Sequence, residues 1–485
     1  MKNSIIPESI VLETDDAIEY KGVESLNSKI IPESISPEIY GVYSYRKPPS
    51  YNRTITLNPK RPNVTGTSGN DTFIANQGNY TIDGGNGNDT IDYSRIGQGV
   101  TIGAKGIITK GSLGIDTIKS VERIIGTVGK TNTIDGTGAS GTKTSLNVDL
   151  DQRKFTLENL SSGNPLSFTV DNFSNVIGTS NNDIIKGDNG NNTISGGAGD
   201  DIFIGTKGND TYDGGAGIDT LDYSKLSEGV TITAKGVIEK GILGTDRAIN
   251  VEKIIGATGK TNTIDGTAAN GTTASLNVNL ATNTFTVQNL PGGVPNQVFD
   301  ILNFSDVIGT NNNDIVVGSI SGSRLTGGGG DDSIFGNTGE DIINGTNSTA
   351  RGIGEVDTLF GGGGVNTFVL GDSMGAFYLG NGDRDYAFIK DYDLTSDRIQ
   401  LGAGKMNPIR YQVENTGIID VFLGQSNGTE DLIAKVQLKN SFSLYGKSAM
   451  GMSTPMSAGI NDNDGIAIGV APTSLESQFT NTIFA

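Results

Sequence analysis

Three residue types are missing from this 485-residue chain: it has no cysteine, no histidine and no tryptophan. Without Cys or His there is no disulfide framework, zinc finger, thiol nucleophile, Ser-His-Asp triad or His-ligated catalytic zinc. The chemistry left to the side chains is that of oxygen. Positive charge is also scarce: Lys+Arg number 35 against 54 Asp+Glu, a net charge of −19 and a pI near 4.4. Nucleic acid and anionic membrane surfaces call for clustered Lys and Arg. Neither is expected as a partner, and hard cations are the natural counter-charge. No apolar run approaches the roughly 20 residues that span a bilayer. The opening residues, MKNSIIPESIVLETDD, lack the basic start and unbroken apolar stretch of a cleaved secretory signal. Export is therefore expected to use a route without one. Hydrophobic residues make up only 34% and aromatics 6%, while glycine numbers 71. A repetitive glycine-turn architecture is favoured over one large core.

Residues 1–62 form a compositional zone of their own, with IIPESI twice and prolines at 7, 32, 37, 48, 49, 59 and 62. This segment reads as extended or disordered. From Gly66 a nine-residue period sets in, Gly-Gly-x-Gly-x-Asp-x-U-x with U apolar. Its clearest copies are GGNGNDTID from Gly84, GGAGDDIFI from Gly196, GGAGIDTLD from Gly214 and GGGGDDSIF from Gly327. Three consecutive copies occupy 66–92, five 178–222, four 309–344, and two more lie in 352–369 after a seven-residue interruption. The eighth position is apolar in all fourteen, and the sixth is Asp in ten. A larger duplication lies over the small one, Gly99–Thr137 recurring as Gly229–Thr267. The chain thus divides into a first solenoid unit (63–195), a second (196–326), a last nonapeptide block (327–369), a β cap (370–440) and a tail (441–485) that is a candidate secretion signal. Each unit is a nonapeptide block followed by about 85 residues of β-rich sequence, with alternating runs such as SLNVDL at 145–150 and FTVQNL at 285–290.

The motif divides into a six-residue turn and a three-residue strand. Glycines at positions 1, 2 and 4 admit left-handed backbone and close approach of carbonyls. The x-U-x triplet sends one apolar side chain inward. Two nonapeptides make one eighteen-residue coil, and turns on the same side stack about 4.8 Å apart. Stacked carbonyls and Asp carboxylates form an all-oxygen cage that suits Ca2+ rather than zinc, copper or magnesium. The expected ligand residues are Asp71, Asp89, Asp183, Asn192, Asp201, Asp210, Asp219, Asp314, Asp332, Asp341 and Asp357. The turn glycines expected with them are Gly84, Gly85, Gly87, Gly196, Gly197, Gly199, Gly208, Gly214, Gly215, Gly217, Gly327, Gly328, Gly330 and Gly339. Two-copy stacking pairs Asp71 with Asp89, Asp183 with Asp201, Asp201 with Asp219, Asp314 with Asp332, Asn192 with Asp210 and, across the interruption, Asp341 with Asp357. Roughly six ions are expected on this rule.

These copies resemble the repeats-in-toxin (RTX, haemolysin-type) calcium-binding family. The resemblance covers the nonapeptide blocks directly and 66–369 by continuity. It implies an all-β parallel β-roll or β-solenoid with calcium between turns, export through a one-step channel that reads an uncleaved C-terminal signal, and folding outside the cell. The 361–401 stretch, GGGGVNTFVLGD followed by DYDLTSDRIQL, resembles the segment that closes such rolls. The two inserts depart from the pattern, and no stretch resembles a toxin or protease domain.

Other motifs fall away on spacing. Gly126, Gly129, Lys130, Thr131 and their copies at 256–261 lack the first glycine of a phosphate loop. NDNDG at 461–465 puts Ile460 and Ala471 at the first and twelfth places of an EF-hand loop. No catalytic residue and no organic cofactor is expected, since each patterned Asp has a ligand role. The functional expectation is an extracellular or cell-surface calcium-binding protein that folds on Ca2+ and contributes to a surface layer, sheath or matrix. The alternatives are a calcium-dependent adhesin and a carboxylate-based enzyme acting on polysaccharide. Self-assembly and cell-surface polysaccharide are the expected partners.

Overall fold

Each nonapeptide ends in a short triplet with one apolar centre, such as Thr72–Ile74 and Thr220–Asp222, and in each the middle residue alone is buried. The computed structural model describes residues 51–439, apart from 104, 140, 403–408, 415, 426 and 427. Most of the N-terminal segment, the 441–485 tail and the NDNDG stretch lie outside the described residues. Among these residues there is no α-helix, only six short 3-10 turns and a set of strands. No described helix is long and apolar enough to cross a membrane.

Successive triplets alternate between two sheets, of 21 and 18 strands. Strands of one sheet are therefore eighteen residues apart and parallel: Phe73 lies opposite Ile91, Ile185 opposite Phe203, Phe203 opposite Leu221 and, in the other sheet, Ile194 opposite Tyr212. All fourteen apolar eighth-position residues, from Phe73 to Phe368, are at most 1% exposed. The core is this double column between the sheets. Burying each aliphatic side chain in it contributes about 1.5–3 kcal/mol.

The inserts do not leave the solenoid. In the second sheet the chain runs forward to Thr101–Gly103, reverses along Ile107–Thr109, and returns as Ile115–Lys119 to pair in parallel with Tyr80–Asp83. In the first sheet Ser145–Asp149, Lys154–Glu158 and Leu166–Asp171 make the same forward-back-forward path, and Leu166–Asp171 rejoins Arg123–Ile125. The second half repeats both excursions, at Thr231–Thr233, Val237–Glu239 and Thr245–Ile249, and at Ser275–Asn279, Thr284–Gln288 and Gln297–Leu302. A single antiparallel strand in the middle of each excursion keeps both neighbours parallel to the stack.

Two boundaries differ from expectation. The stack begins inside the segment expected to be extended or disordered, because Thr54–Thr56 pairs in parallel with Thr72–Ile74. At the seven-residue interruption the step lengthens, and Ile334 meets Leu359 while Ile343 meets Phe368. The cap forms from Tyr386–Tyr392 and an antiparallel meander of Ile409–Val413, Ile418–Gly424 and Glu430–Leu438, with Arg398–Gln400 closing the second sheet.

Candidate metal centre

The sixth-position side chains form ladders along the turns. The backbone N–H of Asp71 donates to Asp89 Oδ1 at 2.7 Å, that of Asp183 to Asp201 Oδ1 at 2.8 Å, that of Asp201 to Asp219 Oδ1 at 2.8 Å and that of Asp314 to Asp332 Oδ1 at 2.8 Å. On the opposite side Asn192 N–H donates to Asp210 Oδ1 at 2.9 Å. The eighteen-residue stacking thus brings these pairs together as the spacing predicts. The pairing of Asp341 with Asp357 is corrected. Asp332 N–H donates to Asp357 Oδ1 at 2.9 Å, and Asp341 N–H to Asn366 Oδ1 at 3.2 Å. Both sheets absorb the seven extra residues at the same step, so each residue keeps its own side of the stack.

What the second carboxylate oxygen does depends on position 2. In three turns with Thr there, its N–H donates to the carboxylate of its own turn: Thr179 to Asp183 Oδ2 at 2.6 Å, Thr310 to Asp314 Oδ2 at 2.6 Å and Thr67 to Asp71 Oδ2 at 2.5 Å; at Thr206 it is the hydroxyl that lies 3.3 Å from Asp210 Oδ2. The turns of Asn192 and Ser323 close likewise, through the N–H groups of Asp188 and Ser319. Where position 2 is Gly85, Gly197, Gly215 or Gly328, φ is 99°, 106°, 101° or 120°, and at Asn337 it is 88°. This left-handed backbone points the N–H elsewhere. Oδ2 of Asp89, Asp201, Asp219, Asp332 and Asp341 is then buried without a hydrogen-bond partner. The first-position glycine completes the pocket. A Cβ on Gly84, Gly196, Gly214 or Gly327 would collide with the carboxylate of its own turn and with a carbonyl of the next rung.

A buried carboxylate oxygen without a donor is costly unless something positive meets it. Burial raises Asp201 to about 7 and Asp341 to about 7. Asp332 is raised to about 10, first by burial and then by the charge of Asp357. No group of three or more acidic side chains that could hold a metal ion is found among the described residues. The donor set is therefore one or two carboxylates with backbone carbonyls. That is a hard-oxygen set, and it fits calcium.

Several residues of the ladders were not foreseen. Glu122 and Glu252 close two of them, accepting from Asp89 N–H at 2.8 Å and Asp219 N–H at 2.9 Å. Asp116 and Asp246 continue the opposite side, accepting from Tyr80 N–H at 3.1 Å and Asp210 N–H at 2.9 Å. A signal for these two existed. GSLGIDTIK at 111–119 and GILGTDRAI at 241–249 keep the nine-residue phase of the preceding blocks, with Asp in sixth place. Glu355, inside the interruption, accepts from Gly330 N–H at 3.1 Å and is raised to about 7 by burial. Tyr378 OH donates to Asp357 Oδ2 at 2.5 Å, so that carboxylate is partnered.

A two-sheet solenoid whose turns carry unpartnered carboxylates is a cation-binding repeat fold. The family model for the RTX calcium-binding nonapeptide repeat matches four times, at residues 65–95, 177–212, 187–221 and 308–343. The chain carries this repeat, and it is a calcium-binding repeat protein. Among solved structures it is similar to the extracellular lipase LipA from Serratia marcescens, at 18% identity and a TM-score of 0.19, over 55% of this chain and 38% of that one. The match spans well under half of that lipase, and so low a score carries no argument about activity. No curated protein matches.

Proposed function

We propose that this protein is exported, folds when its turns bind extracellular calcium, and serves as a structural component of a cell-surface layer, sheath or matrix. The observation that carries the reading is the set of five buried carboxylates, of Asp89, Asp201, Asp219, Asp332 and Asp341, that keep six oxygens without a partner, both of them on Asp341. These five turns are assigned as the primary ligand sites, with the first- and second-position glycines or Asn337 shaping them. Asp71, Asp183 and Asp314 serve chiefly as the preceding rung, since their own turns donate to them.

Bound calcium supplies the positive charge that these oxygens lack. The chain's own residues hold the turns in stacking register, exclude water from the carboxylates and carry the apolar column behind them. Without the counter-charge the net −19 chain is self-repelling, which favours a loose, threadable state where calcium is scarce. At free calcium 100 times a site's dissociation constant, each site adds about 2.7 kcal/mol to folding. The test is a calcium titration of the purified chain, read by circular dichroism and light scattering with a magnesium control. A cooperative, calcium-specific gain of β signal followed by growth of large particles supports the reading. A fully folded chain in chelator overturns the folding switch, and a calcium-loaded monomer at high concentration favours the adhesin over the coat.

A further inference from the structure

Two lysines are among the largest fully buried side chains of the described residues, and Lys110 and Lys240 are both 0% exposed. They occupy equivalent places in the duplicated halves. Each stands just before a degenerate nonapeptide, and its ammonium reaches the turn of the preceding rung. Lys240 Nζ donates to the Thr206 carbonyl at 2.8 Å, lies 3.4 Å from Asp210 Oδ2, and pairs with Asp246 Oδ1. Thr206 and Asp210 are positions 2 and 6 of one turn, and Asp246 is position 6 of the next rung. Lys110 Nζ donates to the Asn76 carbonyl, again position 2, at 3.0 Å and to Asp116 Oδ1 of the next rung at 2.5 Å. Here the sixth position of the turn is Tyr80, whose ring centre lies 4.8 Å from the ammonium. The outer oxygens are held by tyrosines, Tyr93 OH to Asp116 Oδ2 at 2.9 Å and Tyr223 OH to Asp246 Oδ2 at 2.7 Å.

We propose that Lys110 and Lys240 are resident cations, each ammonium occupying the place between two stacked turns that a divalent ion takes elsewhere in the solenoid. The inference rests on the calcium reading of the other turns. It makes these two rungs independent of calcium, one in each half, at the point where the chain returns from its first excursion. Buried carboxylates need a positive partner in either case. What differs is that this partner is covalently part of the chain and present before export. The two sites are not equal. Removing the Lys240 ammonium leaves two carboxylates and a carbonyl, a donor set for calcium. Removing that of Lys110 leaves one carboxylate, a carbonyl and an aromatic ring, which is a poor one.

The full chain and its Lys240→Ala and Lys110→Ala variants are compared by hydrogen-exchange mass spectrometry in chelator, in calcium chloride and in magnesium chloride. Bound calcium is counted after gel filtration. In chelator the unmodified chain is expected to keep amide protection at 80–83, 115–119, 211–216 and 245–249 while the turns at 84–89, 196–201 and 327–332 exchange. Each variant in chelator is expected to exchange about 100-fold faster at its own rung, the loss that follows when a buried charge pair is broken. Calcium, and not magnesium, restores protection in Lys240→Ala, which binds one ion more than the parent, and does not restore it in Lys110→Ala. If the lysine rungs of the unmodified chain lose protection in chelator together with the glycine turns, the proposal is overturned, even where a variant fails to fold. A Lys240→Ala chain with the parent's ion count and no calcium rescue also overturns it. Failure of the calcium reading is seen separately, as identical exchange of the glycine turns with and without calcium, at peptides that contain neither lysine.

Discussion

At position 2 of the turns that carry Asp71, Asp89, Asp183, Asp201, Asp219, Asp314, Asp332 and Asp341, the sign of one backbone angle separates a carboxylate capped by its own loop from one left open. Gly328, at φ 120°, leaves Asp332 Oδ2 unpartnered, whereas Thr310 donates to Asp314 Oδ2 at 2.6 Å. Isothermal calorimetry should therefore find one ion fewer in Gly328→Thr and one more in Thr310→Gly; unchanged counts in both would remove position 2 from the rule. The pH dependence follows from burial. Asp201 and Asp341 rise from 3.8 to about 7, so the metal-free fold binds protons that the unfolded chain does not. Its stability is then greatest below about pH 4 and falls as pH rises towards about 7. Calcium requires the bare carboxylate, so in its presence stability should rise across the same window. Melting curves in chelator and in calcium should slope in opposite directions between those limits. The ladder of carboxylates was legible in the sequence because sixth-place Asp keeps its phase through consecutive copies. The capping by Thr was not, since a hydrogen bond from a loop N–H leaves no periodic trace.

Among the elements, the inward column was the most legible feature: one apolar residue per triplet, at a fixed phase, admits only one buried face. Ile334→Ala should cost about 2–5 kcal/mol in a denaturant titration, because Ile334 is 0% exposed. Ile320→Ala, at a site 72% exposed in a turn, should stay within about 0.5 kcal/mol. The excursions were read only as β-rich sequence. Ile107–Thr109 runs antiparallel to both neighbours, and strand propensity does not encode direction. Direction is fixed by the tight turn in which Gly106 N–H donates to the Gly103 carbonyl, a connection too short for a parallel crossover. Asp116 and Asp246 went unrecognised because the excursion separates them from their rungs in sequence while the fold keeps them adjacent.

For the whole molecule, the duplication at 99–137 and 229–267 becomes one continuous pair of sheets, and the C-terminal cap seals their far edge with charged pairs. Lys435 Nζ lies 2.7 Å from Glu414 and 2.9 Å from Asp420, and Arg410 lies 2.7 Å from Glu430. Such pairs blunt an edge that would otherwise recruit another strand. Deleting 386–439 should leave Val356–Phe360 and Thr367–Val369 open. Light scattering should then show aggregation in calcium that the full chain does not undergo at the same early time. The transverse strands also have a mechanical meaning. In the first sheet Thr54–Thr56 forms one edge and Ile409–Val413 the other, so tension along the stack loads the rungs one after another, as in a zipper. Each eighteen-residue coil would release on the order of 60 Å of chain. The four excursions would release longer lengths at fixed points along the pull, giving an extensible tether with built-in stops.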